Sequence, residues 1–407
     1  MGRNFVNIDR ATPMLLAEDL REWLPADDVA HLVIEAVEGM DLSKGRVNER
    51  GTGSAQYPPG MLLALLIYCY TQGLYSSRRI ERATHTHVGV RYVAANTHPD
   101  HDTIAAFRRT HGELLRQAFV EVLQLARELG VPRLGTVCLD GTKLSGNASK
   151  RANRSEAQLK LEVQARLAAA EKTDAEETTT EQLPSALTDR RTRLARLQAA
   201  RATLAARAEA QGRPPDDTDS GNPTDPDSRL MPTAQGPFLQ GYNAQLAVAA
   251  ESGLIVAAHV CTETQDRRQL APTVAAIPPA AGRPQTIVAD AGYDNSAQVA
   301  SVTAQTGATV YIPAPQLGRG AGRQSHARAQ VHAERTARQR RMDTPLGRHW
   351  QRLRQRVVEP VFGIFKYNWR FTRFHLRGLS GVTTEWLLLC TAYNLRKLAR
   401  WWQPQPA

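Results

Sequence analysis

Three acidic residues, far apart in this 407-residue chain, have the types and settings needed for metal-assisted chemistry. Asp140 follows the apolar run 134–139, Asp290 follows Thr286-Ile-Val-Ala289, and Glu359 lies in the segment Val-Val-Glu-Pro-Val-Phe. Two carboxylates at strand ends and one on a helix can hold a pair of Mg²⁺ ions. Two such ions, about 3.5–4 Å apart, clamp the attacking and leaving oxygens of a phosphodiester.

The settings of Asp140 and Asp290 are alike. Each follows a short apolar run that is rich in β-forming residues and therefore predicts a buried strand. Gly141 permits a sharp exit after the first strand, and Gly292 lies close behind the second aspartate. An Asp-Gly pair alone is most often only a turn. The recurrence at matching positions of two strand-like segments is what favours a shared site.

Glu359 is predicted to lie on the polar face of a helix, opposite Val357, Val361, Ile364 and Phe365. The same face carries Arg352, Arg356, Gly363, Lys366, Arg370 and Arg373. This segment alone is compatible with a salt-bridge partner and with a metal ligand beside cations that hold a phosphate backbone. Pro360 predicts that the helix restarts or bends at this point.

The positive charge of the chain is concentrated in one block. The formal net charge is +11, and residues 316–377 carry 15 Lys and Arg against 3 acidic residues, so this block alone has 15 − 3 = +12. Such a block is typical of proteins with a polyanionic partner, most often nucleic acid. A solvated tail is the alternative reading of the charge run.

The cysteine pattern and the hydropathy favour a reduced, cytoplasmic protein without a membrane role. Cys69, Cys138, Cys261 and Cys390 are scattered singly in apolar surroundings. The most apolar run, residues 61–70, is about half the length that crosses a bilayer and predicts a core helix.

The order of elements predicts an α/β (α+β) fold. Residues 1–130 are predicted to form a helical N-terminal domain that binds DNA, and residues 131–400 a mixed-sheet domain with carboxylates at strand ends. Residues 151–235 are predicted to be a helical insertion and linker after the first strand, and 401–407 a tail. The N-terminal helices are compatible with a helix-turn-helix-like surface and with a plain helical bundle. The arginines that would form that surface are Arg78, Arg79, Arg82, Arg91, Arg108 and Arg109.

Five segments in this order resemble the DDE transposases of bacterial insertion sequences, which have a ribonuclease-H-like core. They are Pro99-Asp-His-Asp-Thr-Ile-Ala-Ala-Phe-Arg108, Asp140-Gly-Thr-Lys-Leu-Ser-Gly-Asn-Ala-Ser149, Asp225-Pro-Asp-Ser-Arg-Leu-Met231 with Gln240-Gly-Tyr-Asn-Ala-Gln245, Ala289-Asp-Ala-Gly-Tyr293, and Val358-Glu-Pro-Val-Phe-Gly363 with Lys366. The resemblance covers nearly the whole chain.

The resemblance implies that Asp140, Asp290 and Glu359 form a catalytic triad that holds two Mg²⁺ ions, with Mn²⁺ as a substitute. It implies hydrolysis of phosphodiesters at transposon ends and strand transfer into target DNA. The partners would be double-stranded DNA with terminal inverted repeats, target DNA, and a second copy in a homodimeric synaptic complex near the nucleoid. Lys366 would contact DNA near the transposon end, and the arginines predicted to bind DNA beside it are Arg352, Arg354, Arg356, Arg370 and Arg373.

The chain also departs from the family pattern. Related groups have a tyrosine and an arginine at fixed spacing before the glutamate, whereas this chain has Arg352 and Gln355 there, which leaves the auxiliary arginine unassigned. Alternatives to an active transposase are an inactive copy that only binds element ends, a general nuclease with the same core, and a coiled coil formed by 151–212. The last lacks sustained apolar heptads. Asp266 is a further carboxylate near the second hairpin strand, for which the sequence favours a helix N-cap role.

Overall fold

The N-terminal part of the molecule is helical. The structure is a computed structural model that describes residues 19–47, 55–176, 184–233, 236–314 and 336–403. The first helices are α1 (Val29–Glu38), α2 (Pro59–Thr71), α3 (Ser77–Thr86), α4 (Val88–Val93), α5 (His101–Thr110) and α6 (Gly112–Glu128). Asp28 and Asp100 cap α1 and α5 by accepting hydrogen bonds from backbone N–H groups of the first turn. No helix in the described ranges is long and apolar enough to span a bilayer.

A mixed sheet forms the centre of the rest of the chain. The strands are β1 (Thr136–Ser145), β2 (Arg154–Ser155), β3 (Ser220–Gly221), β4 (Arg229–Thr233), β5 (Gly236–Ala249), β6 (Ile255–Cys261), β7 (Thr286–Val288) and β8 (Thr309–Tyr311). The main sheet has the order β4-β5-β1-β7-β8, and β6 also pairs with β5. β5 is antiparallel to β1 and to β6, whereas β1, β7 and β8 are mutually parallel. This arrangement confirms the predicted α/β fold with a ribonuclease-H-like core.

The first strand is longer than the sequence predicts. β1 continues through Gly141 to Ser145 because β5 is long enough to pair with it, and the predicted sharp exit at Gly141 is wrong. Gly141 pairs with Gln245, and a Cβ atom at position 141 would lie 2.9 Å from Oδ1 of Asp266. The glycine therefore makes room for neighbouring polar side chains instead of turning the chain.

The predicted helical insertion lies between β1 and β5. It contains α7 (Glu156–Glu176) and α8 (Pro184–Ala210), and the antiparallel pair β2–β3 brings the two ends of this helical hairpin together. Leu159, Val163, Leu197, Ala200 and Leu204 form a small hydrophobic core of its own. The insertion thus has local packing that is separate from the main core.

Several helices follow β6, and the last of them joins the N-terminal helices to the sheet. They are α9 (Leu270–Ala275), α10 (Ser296–Thr306), α11 (Pro345–Val357), α12 (Glu359–Gly363) and α13 (Leu379–Leu398), and a π-helical turn, Ile364–Asn368, follows α12. α13 packs against α2, α6 and β6. One continuous hydrophobic core therefore extends from the N-terminal helices to the sheet. The domain boundary at residue 130 stays a prediction, since the segments on both sides of it share this core.

A buried carboxylate stabilises this junction. Glu385 of α13 is 0% exposed and accepts hydrogen bonds from Tyr70 Oη (3.1 Å), His375 N (2.8 Å) and Leu376 N (3.0 Å). Arg108 donates to Tyr70 Oη at 3.0 Å. Burial favours the neutral acid, but the hydrogen bond from His375 and the charge of Arg108 outweigh it, so the pKa of Glu385 is lowered. Arg108 is buried in this network and does not belong to an exposed DNA-facing surface.

Candidate active site

Two of the three predicted acidic residues lie near each other, Asp140 within β1 and Asp290 just beyond the end of the parallel strand β7. The β1–β7 register pairs Cys138 with Val288, so Asp140 and Asp290 each lie two residues beyond the same pair. Asp140 Oδ1 accepts a hydrogen bond from its neighbouring backbone N–H, that of Gly141, at 2.8 Å. Asp290 caps the short helical turn that follows it and accepts from the N–H of Gly292 at 2.9 Å. These local bonds orient both carboxylates beside the C-terminal end of β7. Asp140 itself lies in the middle of β1, so its predicted position at a strand end is wrong.

The two aspartates are hard to ionise together. Burial raises the pKa of Asp140 to about 6, a rise that the Arg354 guanidinium opposes and the charge of Asp290 reinforces. Burial likewise raises the pKa of Asp290, and Arg354 again opposes the rise. Two desolvated carboxylates that disfavour each other's charge form a site at which a bound cation is favourable.

Glu359 is positioned by a helix restart. α11 ends at Val357, and Glu359 is the first residue of α12, with Pro360 in its first turn where the missing backbone N–H costs nothing. Of the two outcomes that the sequence allows for Pro360, the structure has the restart. The Glu359 side chain is 53% exposed. It therefore stays accessible to a ligand from solvent.

Arg354 links Glu359 to Asp140. Its Nη1 atom donates to Asp140 Oδ2 at 2.7 Å, and its Nη2 atom donates to Glu359 Oε1 at 3.4 Å. The Arg354 side chain is only 7% exposed, so its guanidinium is not available to DNA in this structure, unlike the predicted contact. The salt-bridge reading of Glu359 is thus realised, and the same ion pair brings Glu359 to the aspartate site.

The other residues predicted to contact DNA differ from one another in their exposure to solvent. Lys366 is half-buried and donates to Thr142 Oγ1 on β1, two residues beyond Asp140. Burial lowers the pKa of Lys366, and the charge of Asp140 opposes that effect. The remaining predicted contacts are exposed: Arg352, Arg356, Arg370 and Arg373. The site therefore has the half-buried Lys366 beside it and an exposed basic flank.

Sequence reasoning missed a polar network behind the aspartates. Asp266 Oδ1 accepts from Asn243 Nδ2 (2.7 Å), Gln245 Nε2 (2.7 Å) and Lys143 Nζ (3.3 Å). Tyr293, three residues after Asp290, donates its hydroxyl to Gln245 Oε1. This network ties the turn after Asp290 to β5 and β1.

The predicted N-cap role of Asp266 is wrong. The residue that precedes the short helix Asp266–Arg268 is Gln265, and Oδ1 of Asp266 instead accepts the three side-chain bonds. One signal in the sequence was available. Asn243 and Gln245 have the period of two that places both side chains on one face of a strand.

The residues present suit a divalent cation in type. Carboxylate oxygens are the ligands that Mg²⁺ prefers in proteins, and Asp140 and Asp290 already lie near each other beside the C-terminal end of β7. Within the described ranges, no group of three or more His, Cys, Asp or Glu side chains is close enough to hold a metal ion. Glu359 would have to approach the aspartates, because the Arg354 guanidinium lies between its carboxylate and that of Asp140.

Comparisons with known proteins identify transposase domains in two parts of the chain. A family model described as a transposase DDE domain matches residues 216–395, a range that contains Asp290 and Glu359. A second model, described as a transposase domain (DUF772), matches residues 18–110 in the N-terminal helices. No curated protein and no solved structure is significantly similar to the chain.

Proposed function

We propose that this chain, which belongs to the DDE transposases of insertion sequences, cuts phosphodiester bonds at the ends of its element. It then joins the freed ends to target DNA. The observation that carries the proposal is the β1–β7 register, which sets Asp140 and Asp290 side by side. The ion pairs of Arg354 hold Glu359 near this pair, with the guanidinium between Glu359 and Asp140. Membership of the family itself implies DNA binding and dependence on a divalent metal.

We assign Asp140, Asp290 and Glu359 as the ligands of two divalent ions, Mg²⁺ or Mn²⁺. Such ions, when bound, activate a water or a 3′-hydroxyl and offset the charge that develops on the phosphate. The contribution of the chain is to hold the ligands. Asp140 lies within β1 and Asp290 just beyond the end of β7, and the residues that precede them are buried, so their positions are set before DNA arrives.

The basic residues around the site have a separate role in this proposal. Lys366 beside Thr142 would hold a phosphate close to the carboxylates, since its ammonium lies next to β1. The exposed Arg352, Arg356, Arg370 and Arg373 would bind the flanking backbone and set the register of the duplex. The predicted homodimer and the cytoplasmic, nucleoid-associated location belong to the same proposal.

The test is cleavage of a duplex that carries the inverted repeat found beside the reading frame, compared with a random duplex. We expect Asp290→Ala to reduce cleavage in Mg²⁺ by at least about 100-fold, because one proposed ligand of the divalent ions is lost. Its affinity for the duplex should stay within a few-fold of wild type. Asp343→Ala is the matched control, since Asp343 is an exposed carboxylate near α11.

The outcomes separate the proposal from its rivals. Cleavage by Asp290→Ala at the wild-type rate would overturn the site assignment. Specific binding by the wild-type chain without cleavage would identify an inactive end-binding protein. Equal cleavage of both duplexes would identify a general nuclease.

A further inference from the structure

One buried arginine stands where positive charge is needed at the site. Arg354, in the last turn of α11, joins two of the three proposed metal ligands through different nitrogen atoms. The Nη1 bond to Asp140 Oδ2 is short, at 2.7 Å, and the Nη2 bond to Glu359 Oε1 is longer, at 3.4 Å. The guanidinium thus neutralises carboxylates that would otherwise repel one another.

The same oxygen atoms cannot serve a guanidinium and a divalent ion equally well. Oδ1 of Asp140 accepts a backbone N–H of its own strand, and Oδ2 accepts Arg354. The backbone bond is fixed by the β1 pairing, whereas the arginine is held only through its side chain. A dication next to a guanidinium also repels it strongly in a poorly hydrated site. Of the two donors to Asp140, Arg354 is the one that has to give way.

The guanidinium is also incompletely bound. Its Nε atom is buried and has no hydrogen-bond partner among the residues that the structure describes. A buried donor without a partner costs free energy, which lowers the cost of moving the side chain elsewhere. By contrast, the side chain of Arg356, two residues later in the same helix, is exposed to solvent.

We propose that Arg354 is a competitor of the divalent ions: its guanidinium occupies the gap between Asp140 and Glu359, and ion binding displaces it so that Glu359 can join the aspartates. This inference rests on the proposed function, since it takes the three acids as the ligands. It assigns to Arg354 a role in controlling when the site loads, and that role differs from the DNA contact expected from the sequence.

A calorimetric titration with Mn²⁺, performed on the full chain without DNA, tests the proposal. Arg354→Gln removes the competing charge and should tighten Mn²⁺ binding by at least about tenfold. A change of this size is within the usual range for the coupling between two ligands. Arg356→Gln is the matched control, because it removes the same charge from the exposed face of the same helix. Its Mn²⁺ affinity should stay close to that of wild type.

Each outcome of the titration either supports the proposal or overturns it. If Arg354 instead holds Glu359 in place for the metal, Arg354→Gln binds Mn²⁺ more weakly than Arg356→Gln, and the proposal is overturned. Equal affinity of the two variants, or no binding by Arg354→Gln, overturns it as well. Should Arg354→Gln not fold, Arg354→Met replaces it, because methionine keeps an unbranched side chain in this buried position without the guanidinium charge. Mn²⁺ affinity of that variant no tighter than that of wild type then overturns the proposal. Asp290→Asn in the same titration tests the ligand assignment separately, since unchanged Mn²⁺ binding there contradicts the proposed function itself.

Discussion

Gly141 and Gly363 provide a matched pair of substitutions near the site with opposite expected results. A Cβ atom at Gly141 would lie 2.9 Å from both Asp266 Oδ1 and Gln245 Cδ, and still closer to Gln245 Nε2. Gln245 is 0% exposed, so its side chain has no solvent to move into. At Gly363, a Cβ atom would meet nothing within 4 Å among the residues that the structure describes.

The expected cost of Gly141→Ala follows from the bonds that Gln245 has to give up. They are one hydrogen bond to the charged Asp266 and neutral bonds with Asn243 and Tyr293. At about 2 kcal/mol for the charged bond and about 1 for each neutral bond, unfolding should become easier by about 4 kcal/mol. Gly363→Ala replaces a glycine of helical backbone conformation and should stabilise the fold by about 0.5–1 kcal/mol.

The assay is urea unfolding followed by tryptophan fluorescence, with end cleavage measured on the same samples. We expect Gly141→Ala also to reduce cleavage, because the network that it disrupts holds the turn after Asp290 through Tyr293. A Gly141→Ala variant within about 1 kcal/mol of wild type would refute the reasoning, as would a destabilised Gly363→Ala variant.

Three further substitutions test other parts of the account. Glu385→Gln should lower the unfolding free energy by about 3 kcal/mol at pH 7, because the buried Arg108 loses the negative charge that compensates its own. Since the pKa of Glu385 is lowered in the folded state, this difference should shrink as the pH falls through that lowered pKa, as urea titrations at pH 7 and at acid pH would show. Asp266→Ala should cost about 2–3 kcal/mol by leaving buried amides unpaired, and Asp266→Asn, which retains an acceptor, should cost less in the same assay. Leu204→Ala should loosen the separate core of the insertion by about 2–5 kcal/mol, seen as faster proteolysis within α7 and α8 and little change in the fluorescence of the main core.

The sequence was sufficient to predict the sheet and the pairing of its aspartates for a physical reason. Asp140 and Asp290 follow similar buried runs, and parallel neighbours in register place such positions together. It could not predict the end of β1, because the pairing partner that extends this strand is about a hundred residues away along the chain and Asp-Gly is a common turn signal.

The hydrogen-bond partners of the buried charged side chains could not be predicted from the sequence. Arg354 bonds to Asp140 across 214 residues of chain, and on a helical wheel it looks like any other arginine of a basic segment. The predictions for Arg108 and Asp266 were wrong for the same reason, since the hydrogen-bond partners of both side chains come from other elements of the fold. Hydropathy patterns locate strands and helices, whereas pairs of this kind depend on the packed fold.

The central claim is that Asp140, Asp290 and Glu359 share divalent ions, and diffraction from crystals of the chain with its end DNA and Mn²⁺ tests it most directly. We expect two anomalous peaks about 3.5–4 Å apart, in contact with all three carboxylates, with Arg354 moved away from Asp140. Peaks at other residues, or Glu359 still paired with Arg354 beside a loaded pair of aspartates, would contradict the claim.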